Sequence, residues 1–182
     1  MTTTQSPPER TGAVTFKGQP ITLIGPGLKA GDGAPDFALT AGDLSSVSLD
    51  QITDGGKRAA LLVALPSLDT PVCNTEAQTF NKRLASFPTG IATYVVSMDL
   101  PFAQGRWCGQ HGDVTIGTLS DYRDRSFGEN YGVLMKGLGL LARAVFLIGA
   151  DKKIAYVQMV PEVTSEPDYD AVIAAVRKHV GG

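Results

Sequence analysis

Two mostly apolar runs and one apolar stripe with helical spacing stand out along the chain. The runs, at residues 59–65 and 91–98, are short and aliphatic or β-branched, so each predicts a buried strand. Between them, apolar residues recur at steps of three and four, which predicts an amphipathic helix: Ala77, Phe80, Leu84 and Phe87. The pattern predicts a strand, a turn, a helix ended by Pro88, and a second strand.

The turn before this helix is predicted to present a cysteine. Thr70 is a favourable N-cap and Pro71 a favourable first helical residue, so Cys73 falls at the third helical position. The apolar stripe, extended back from Ala77 by four residues, also places Cys73 on the inward face. A thiol in the first turn lies near unpaired backbone N–H groups and the positive end of the helix dipole. Both favour the thiolate, which is the nucleophilic form.

An inert role for Cys73 is the alternative. Free cysteines are among the most frequently buried residues, and most of them only fill space in a core. A capped helix start directly after a buried strand is not something that packing requires. The local chemistry therefore leaves both interpretations open.

The rest of the chain predicts shorter elements. Strand–turn–strand signals occur at residues 13–17 and 21–24 and again at 144–148 and 154–157, and a short helix begins near Pro101. The pattern also predicts an extended piece at 114–116, a helical turn at 124–131, a loop at 132–139, and a last helix that Ser165 caps together with Asp168. Strands joined through helices, then a hairpin and a helix, predict an α/β fold with a mixed sheet.

Length and composition predict one ordinary domain. The 182 residues divide into a flexible tail at 1–12 and a single domain at 13–182. A net charge of −2 gives no electrostatic reason to expect nucleic acid or an anionic membrane as a partner. No apolar run reaches the roughly 18 residues of a membrane span, and the first twelve residues lack the apolar segment of a secretory signal. We therefore expect a cytoplasmic protein.

The two cysteines, Cys73 and Cys108, are 35 positions apart and form no CxxC motif. Together with two scattered histidines they make a poor zinc site. A domain of this size does not need a stabilising disulfide, and a reducing cytoplasm disfavours one, whereas a transient catalytic disulfide is permitted there. This favours redox pairing over a structural bridge.

Four segments, in this order, resemble the peroxiredoxins and in particular their bacterial thiol peroxidase branch. Pro66, Thr70 and Cys73 match the PxxxTxxC signature. Residues 97–104 (SMDLPFAQ) with 106–108 (RWC), residues 141–145 (LARAV) and residues 166–169 (EPDY) resemble three further segments of that branch. The resemblance implies a thioredoxin-like fold: a central mixed β-sheet flanked by helices, with an added N-terminal β-hairpin.

The resemblance also implies roles for five residues. The thiolate of Cys73 would attack a hydroperoxide and become a sulfenic acid, and Cys108 would resolve it as an intramolecular disulfide that thioredoxin reduces. Arg143 would stabilise the thiolate, because a guanidinium does not lose its charge. Thr70 would offer its hydroxyl to the peroxide or the sulfur, and Pro66 would shield the sulfur from water.

Substrate and assembly are implied in the same way. The substrates would be hydrogen peroxide and organic hydroperoxides, no cofactor would be needed, and the protein would form a homodimer through a face near the active site. An apolar entrance could be formed by Pro71, Val72, Met98 and Phe102, although such residues are also typical of a core.

Two other functions stay open. Cys73 could belong to a redox sensor that oxidises without turning over, or to a thiol–disulfide oxidoreductase, which the lack of a CxxC motif disfavours. If Cys73 faces inward, Cys108 can reach it only after the first helical turn opens. We therefore expect a cycle between a folded reduced form and a locally rearranged disulfide form.

Overall fold

The computed structural model describes residues 6–84 and 91–180. The strands are β1 (Glu9–Phe16), β2 (Gln19–Ile24), β3 (Leu39–Thr40), β4 (Ser46–Val47), β5 (Ala59–Ala64), β6 (Ile91–Ser97), β7 (Gly117–Ser120), β8 (Leu134–Met135), β9 (Ala144–Ile148) and β10 (Ile154–Met159). The helices are α1 (Leu49–Ile52), α2 (Pro71–Leu84), α3 (Pro101–Gln110), α4 (Ser126–Asn130) and α5 (Tyr169–Val180). Phe87 and Pro88, which the sequence placed at the end of α2, lie outside the described residues.

A mixed seven-stranded sheet has the order β10-β9-β5-β6-β7-β3-β4. The apolar run that predicted a strand forms β5, which is buried along its whole length and pairs in parallel with β6 and antiparallel with β9. The predicted hairpin is also present, as β9 and β10. The predicted α/β fold with a mixed sheet, flanking helices and an N-terminal hairpin is confirmed.

Each face of this sheet has its own core. Alternate residues of β5 point to opposite faces, as the twofold period of a strand requires. Leu61 and Val63 belong to a cluster with the inward faces of α2 and α5 and with Trp107 of α3, which we call the α2-side cluster. Leu62 and Ala64 belong to a second cluster with the N-terminal hairpin and α4, which we call the hairpin-side cluster. Helix α2, which carries the predicted reactive cysteine, therefore packs against one face of the sheet only.

The N-terminal hairpin is longer than the sequence predicted. β1 begins at Glu9, so the last residues of the predicted tail are part of the strand. Arg10 explains the extension, since its side chain donates to the carbonyl oxygens of Gly25 (3.1 Å from Nε) and Gly132. These two glycines have positive φ, and a Cβ on either would overlap a backbone oxygen. The close approach ties the hairpin to the end of α4.

The other differences from the predicted elements concern two short strands and the start of the last helix. β8 lies inside the predicted 132–139 loop because it pairs with β2, and β7 begins at Gly117 rather than at 114 because it pairs with β6. The last helix begins at Tyr169, and Asp168 caps it by accepting the N–H of Ala171 at 3.0 Å, so the predicted cap at Ser165 is wrong by three residues. Among the described residues, no helix is long and apolar enough to cross a membrane.

Candidate active site

The strand–turn–helix unit presents Cys73 as the sequence predicted. β5 leads into a turn, α2 starts at Pro71, and the carbonyl of Thr70 accepts the first helical bond, from the N–H of Asn74 at 2.9 Å. Cys73 lies in the first turn of α2, faces the α2-side cluster and is 1% exposed. Pro66 is buried in the turn. The sulfur is therefore shielded from bulk water near a helix N-terminus.

Arg143 directly contacts this sulfur. It precedes β9, the strand next to β5, and its side chain is buried, with 2% exposed. Its Nη2 donates to Sγ of Cys73 at 3.3 Å, and its Nε donates to the carbonyl of Val163 at 3.1 Å. A buried guanidinium against a thiol stabilises the thiolate, because the charges attract strongly where water is excluded.

Glu76 is the site residue that the sequence analysis missed. It lies one turn after Cys73 on α2, is fully buried, and forms an ion pair with Nη1 of Arg143. Its Oε1 accepts no hydrogen bond from the part of the chain that is described. The signal was available: Glu76 follows Cys73 by three residues and therefore lies on the inward stripe, where a charged residue is unusual.

Two acidic groups therefore share one cation. Burial raises the pKa of Glu76 to about 7, although the charge and hydrogen bond of Arg143 act in the opposite direction. Burial also disfavours the charged form of Arg143, but its contacts with Glu76 and Cys73 outweigh this and raise the pKa of Arg143. The cation stays charged at any working pH, and its partners compete for it.

The side chain of Thr70 does not make the hydrogen bond of the predicted N-cap. Its hydroxyl donates to the carbonyl of Ser67 at 3.0 Å and so closes the turn before α2. Asp99, at the end of β6, holds the same turn from the other side. Its carboxylate accepts from Oγ of Ser67 at 2.7 Å and from the N–H of Leu68 at 2.8 Å. These bonds fix the chain that leads to Cys73.

Cys108 lies on α3, the helix that the sequence predicted after Pro101. It is partly buried, its Sγ is 3.9 Å from Oγ1 of Thr118, and it packs against the α2-side cluster that contains Cys73. The neighbouring Trp107 donates from Nε1 to Oδ1 of Asn74, the residue after Cys73, at 2.8 Å. Both cysteines are free thiols. A contact between their immediate neighbours therefore joins the two cysteine-bearing helices.

The four predicted entrance residues occupy different surroundings. Pro71 is exposed and Val72 partly buried in the first turn of α2, and Phe102 is 68% exposed on α3. Met98 packs against the hairpin-side cluster, whereas Cys73 belongs to the other one. Within residues 6–84 and 91–180, no three His, Cys, Asp or Glu side chains cluster so that they could hold a metal ion.

Comparisons with known proteins show the family of this chain. The redoxin family model matches residues 29–173. The thiol peroxidase of Clostridium acetobutylicum is 48% identical over 164 residues, which covers 90% of this chain and 97% of that protein. A thiol peroxidase of Staphylococcus aureus is also 48% identical, with the same coverage.

Solved structures are similar over nearly the whole chain. A peroxiredoxin-like protein from Aquifex aeolicus is 44% identical, with a TM-score of 0.84 over 93% of this chain and 96% of that one. A thiol peroxidase from Chromobacterium violaceum is 25% identical, with a TM-score of 0.79 over 91% of this chain and 95% of that one.

Proposed function

Because this chain belongs to the redoxin family, within its peroxiredoxin-type thiol peroxidases, we propose that Cys73 is the thiol that attacks the hydroperoxide and Cys108 the thiol that resolves the product. One observation carries the assignment of Cys73: its sulfur accepts a hydrogen bond from the buried guanidinium of Arg143 at 3.3 Å. A thiol kept only for packing has no need of a buried cation, which is costly to desolvate.

The first step transfers one oxygen atom. The Cys73 thiolate attacks the terminal oxygen of the hydroperoxide, an S–O bond forms and the O–O bond breaks. The sulfur is oxidised to a sulfenic acid, and the leaving alkoxide takes a proton to become an alcohol, or water when the substrate is hydrogen peroxide. Arg143 stabilises the attacking thiolate, and its positive charge also stabilises the negative charge that develops on the leaving oxygen. Pro66 helps to keep water away from the sulfur.

Thr70 contributes at the mouth of this site. Its hydroxyl donates to Ser67 in the reduced protein, and the same hydroxyl oxygen retains lone pairs that can accept a hydrogen bond from the protonated end of a peroxide. Pro71, Val72 and Phe102 provide apolar surface on the helices that carry the two cysteines, which suits organic hydroperoxides as well as hydrogen peroxide. Met98 contributes less directly, because it packs against the hairpin-side cluster.

The second step forms a disulfide. The thiol of Cys108 attacks the sulfenic sulfur of Cys73, an S–S bond forms and water leaves. Cys73 is buried in α2, so this step needs local opening of the first turn of that helix and of α3 around Cys108. A thioredoxin dithiol then reduces the disulfide and restores both thiols, and the oxidised thioredoxin leaves.

The location and assembly state follow from the same reasoning. A disulfide that thioredoxin must reduce in every cycle suits a reducing compartment, which supports the cytoplasm as the location. A homodimer is supported by two exposed apolar side chains on either side of Pro101 at the start of α3: Leu100 is 50% exposed and Phe102 68%.

Turnover by cysteine variants tests the proposed function. We would measure thioredoxin-coupled consumption of cumene hydroperoxide by the wild type, Cys73→Ser and Cys108→Ser. We expect continuous turnover by the wild type, none by Cys73→Ser, and consumption of one equivalent without turnover by Cys108→Ser. Thr75→Ser is the control, because Thr75 is exposed on the same turn of α2 and serine can keep its bond to the Pro71 carbonyl. A wild-type protein that consumes no peroxide while Cys73 is reduced would refute the proposal.

A further inference from the structure

Glu162, in the loop after β10, accepts an unusual number of hydrogen bonds for a surface carboxylate. Its Oε1 accepts from the backbone N–H of Lys17 (3.0 Å) and from the N–H and hydroxyl of Thr164 (3.0 and 2.6 Å). Its Oε2 accepts from the hydroxyl of Thr15 (2.7 Å) and the N–H of Gly18 (3.0 Å). Three of these five donors belong to the turn and adjoining strand of the N-terminal hairpin.

The backbone around Glu162 is joined to the hairpin as well. Thr15 donates its N–H to the carbonyl of Pro161 at 2.7 Å and accepts the N–H of Val163 at 2.8 Å, which makes a parallel bridge with Glu162. Residues on either side of Glu162 are therefore fixed to β1, and the carboxylate holds the hairpin turn against them. We call residues 160–164 the bridging segment.

The bridging segment also holds the arginine of the active site. The carbonyl of Arg143 accepts the N–H of Val160 at 3.0 Å, and Nε of Arg143 donates to the carbonyl of Val163 at 3.1 Å. With Nε fixed in this way, the two terminal nitrogens of the planar guanidinium point at Cys73 and Glu76. The position of the Val163 carbonyl therefore sets the direction in which Arg143 presents its charge.

We propose that Glu162 is a positioning residue for the reaction, which holds the bridging segment against the N-terminal hairpin so that Arg143 stays aimed at the sulfur of Cys73. The proposal rests on the proposed function, since it assumes that Arg143 acts on that sulfur. It gives the added hairpin a part in the chemistry, although none of its residues contacts Cys73 through a hydrogen bond in the described chain.

The charge of Glu162 suits this role. The hydroxyl of Thr164, the N–H groups of Gly18 and Thr164 and the hydroxyl of Thr15 hold the pKa of Glu162 far below its usual range, so the carboxylate stays ionised. An ionised carboxylate can only accept hydrogen bonds, which suits a side chain surrounded by five donors. A glutamine would replace one of its two oxygens by an NH₂ group, which faces donors and cannot accept from them.

Thiolate formation and peroxide reactivity of Glu162→Gln test the proposal. We would follow the ultraviolet absorbance of the thiolate against pH in a Cys108→Ser background, and the rate constant for Cys73 with cumene hydroperoxide near neutral pH. We expect the thiolate to appear at higher pH than in the parent and the rate constant to fall roughly tenfold. Glu162→Asp, which keeps the charge on a shorter side chain, should recover part of both, and Thr15→Val should show a smaller change in the same direction.

Two reference variants make the outcomes distinct. Glu9→Gln is the matched control, because Glu9 lies on the same hairpin but pairs with Lys136 rather than with the bridging segment. It should leave the pH dependence of thiolate absorbance unchanged and the rate constant within about twofold of the parent. If Arg143→Lys impairs both readouts while Glu162→Gln and Thr15→Val match the parent, the inference is wrong and the proposed function stands. If Arg143→Lys leaves both readouts unchanged, the proposed role of Arg143 is wrong, and this inference with it.

Discussion

At the scale of single residues, the charge of Arg143 is divided between the sulfur of Cys73, which we propose attacks the substrate, and the carboxylate of Glu76. Glu76 offsets part of the cost of burying the guanidinium, which would otherwise be several kcal/mol. It also competes with Cys73 for the same positive charge. The site therefore combines a stable buried cation with a thiolate that is stabilised less than it would be by Arg143 alone.

Replacement of Glu76 by glutamine should change how stability depends on pH. Because burial raises the pKa of Glu76 from 4.5 to about 7, the folded state holds this proton more tightly than the unfolded state does. The resulting stabilisation is complete below about pH 4.5 and is lost as pH rises through about 7, a difference of roughly 3 kcal/mol. Denaturant unfolding of the reduced proteins should therefore show Glu76→Gln gaining stability relative to wild type between pH 5 and about 8.

The same substitution should raise peroxide reactivity near neutral pH, since Arg143 would then face one anion instead of two. Glu9→Gln, which removes an exposed glutamate, should show neither effect. A difference in unfolding free energy between Glu76→Gln and wild type that stays constant from pH 5 to about 8 would contradict the raised pKa of Glu76.

The sequence predicted that Cys73 and Arg143 belong to one site, and the structure brings them together, but the second anion was not predicted. Cys73 was a candidate from the helix start, and the family resemblance favoured it and added Arg143. Glu76 was missed because a glutamate is normally expected on the solvent face of an amphipathic helix, although its spacing from Cys73 places it on the inward stripe. The bond from Thr70 to Ser67 also depends on the fold of the turn, which local propensity does not specify.

At the scale of secondary structure elements, the proposed disulfide between Cys73 and Cys108 requires α2 and α3 to open together. The bond between Trp107 and Asn74 joins the two helices next to their cysteines, and Trp107 is 3% exposed. It is the one tryptophan in the sequence. Its environment therefore reports directly on the contact between these helices.

Oxidation should loosen both helix segments and change the fluorescence of Trp107. We expect faster amide hydrogen exchange at residues 72–75 and 107–110 after one equivalent of hydroperoxide, together with a shift in tryptophan emission. Cys108→Ser, which can form the sulfenic acid but not the disulfide, should show much smaller changes. Unchanged exchange in a wild-type protein that has formed the disulfide would contradict the proposed rearrangement.

Long strands were predictable and so was the short helix α4, which lies inside the predicted helical turn at 124–131, but two short strands were not. β5, β6 and the β9–β10 hairpin have apolar patterns long enough to identify them without tertiary information. β7 and β8, by contrast, exist because a neighbouring strand provides partners for their backbone groups.

At the scale of the whole molecule, we expect the exposed apolar residues around Pro101 to be covered by a second copy of the chain. Phe102→Glu should therefore shift the protein from dimer to monomer in sedimentation velocity at micromolar concentration. Leu138→Glu is the control, because Leu138 is another exposed apolar residue, 44% accessible, in the loop after β8. A wild-type protein that sediments as a monomer, or a dimer that Phe102→Glu leaves intact, would contradict the proposed interface.

The site of oxidation after one reaction with peroxide shows directly whether Cys73 is the attacking thiol. Cys108→Ser would be treated with one equivalent of cumene hydroperoxide, trapped with a dimedone-type reagent that reacts with sulfenic acids, and mapped by mass spectrometry. We predict one adduct, on Cys73, that is absent from Cys73→Ser treated in the same way. An unmodified Cys73 in a protein whose thiols were reduced before treatment would contradict it.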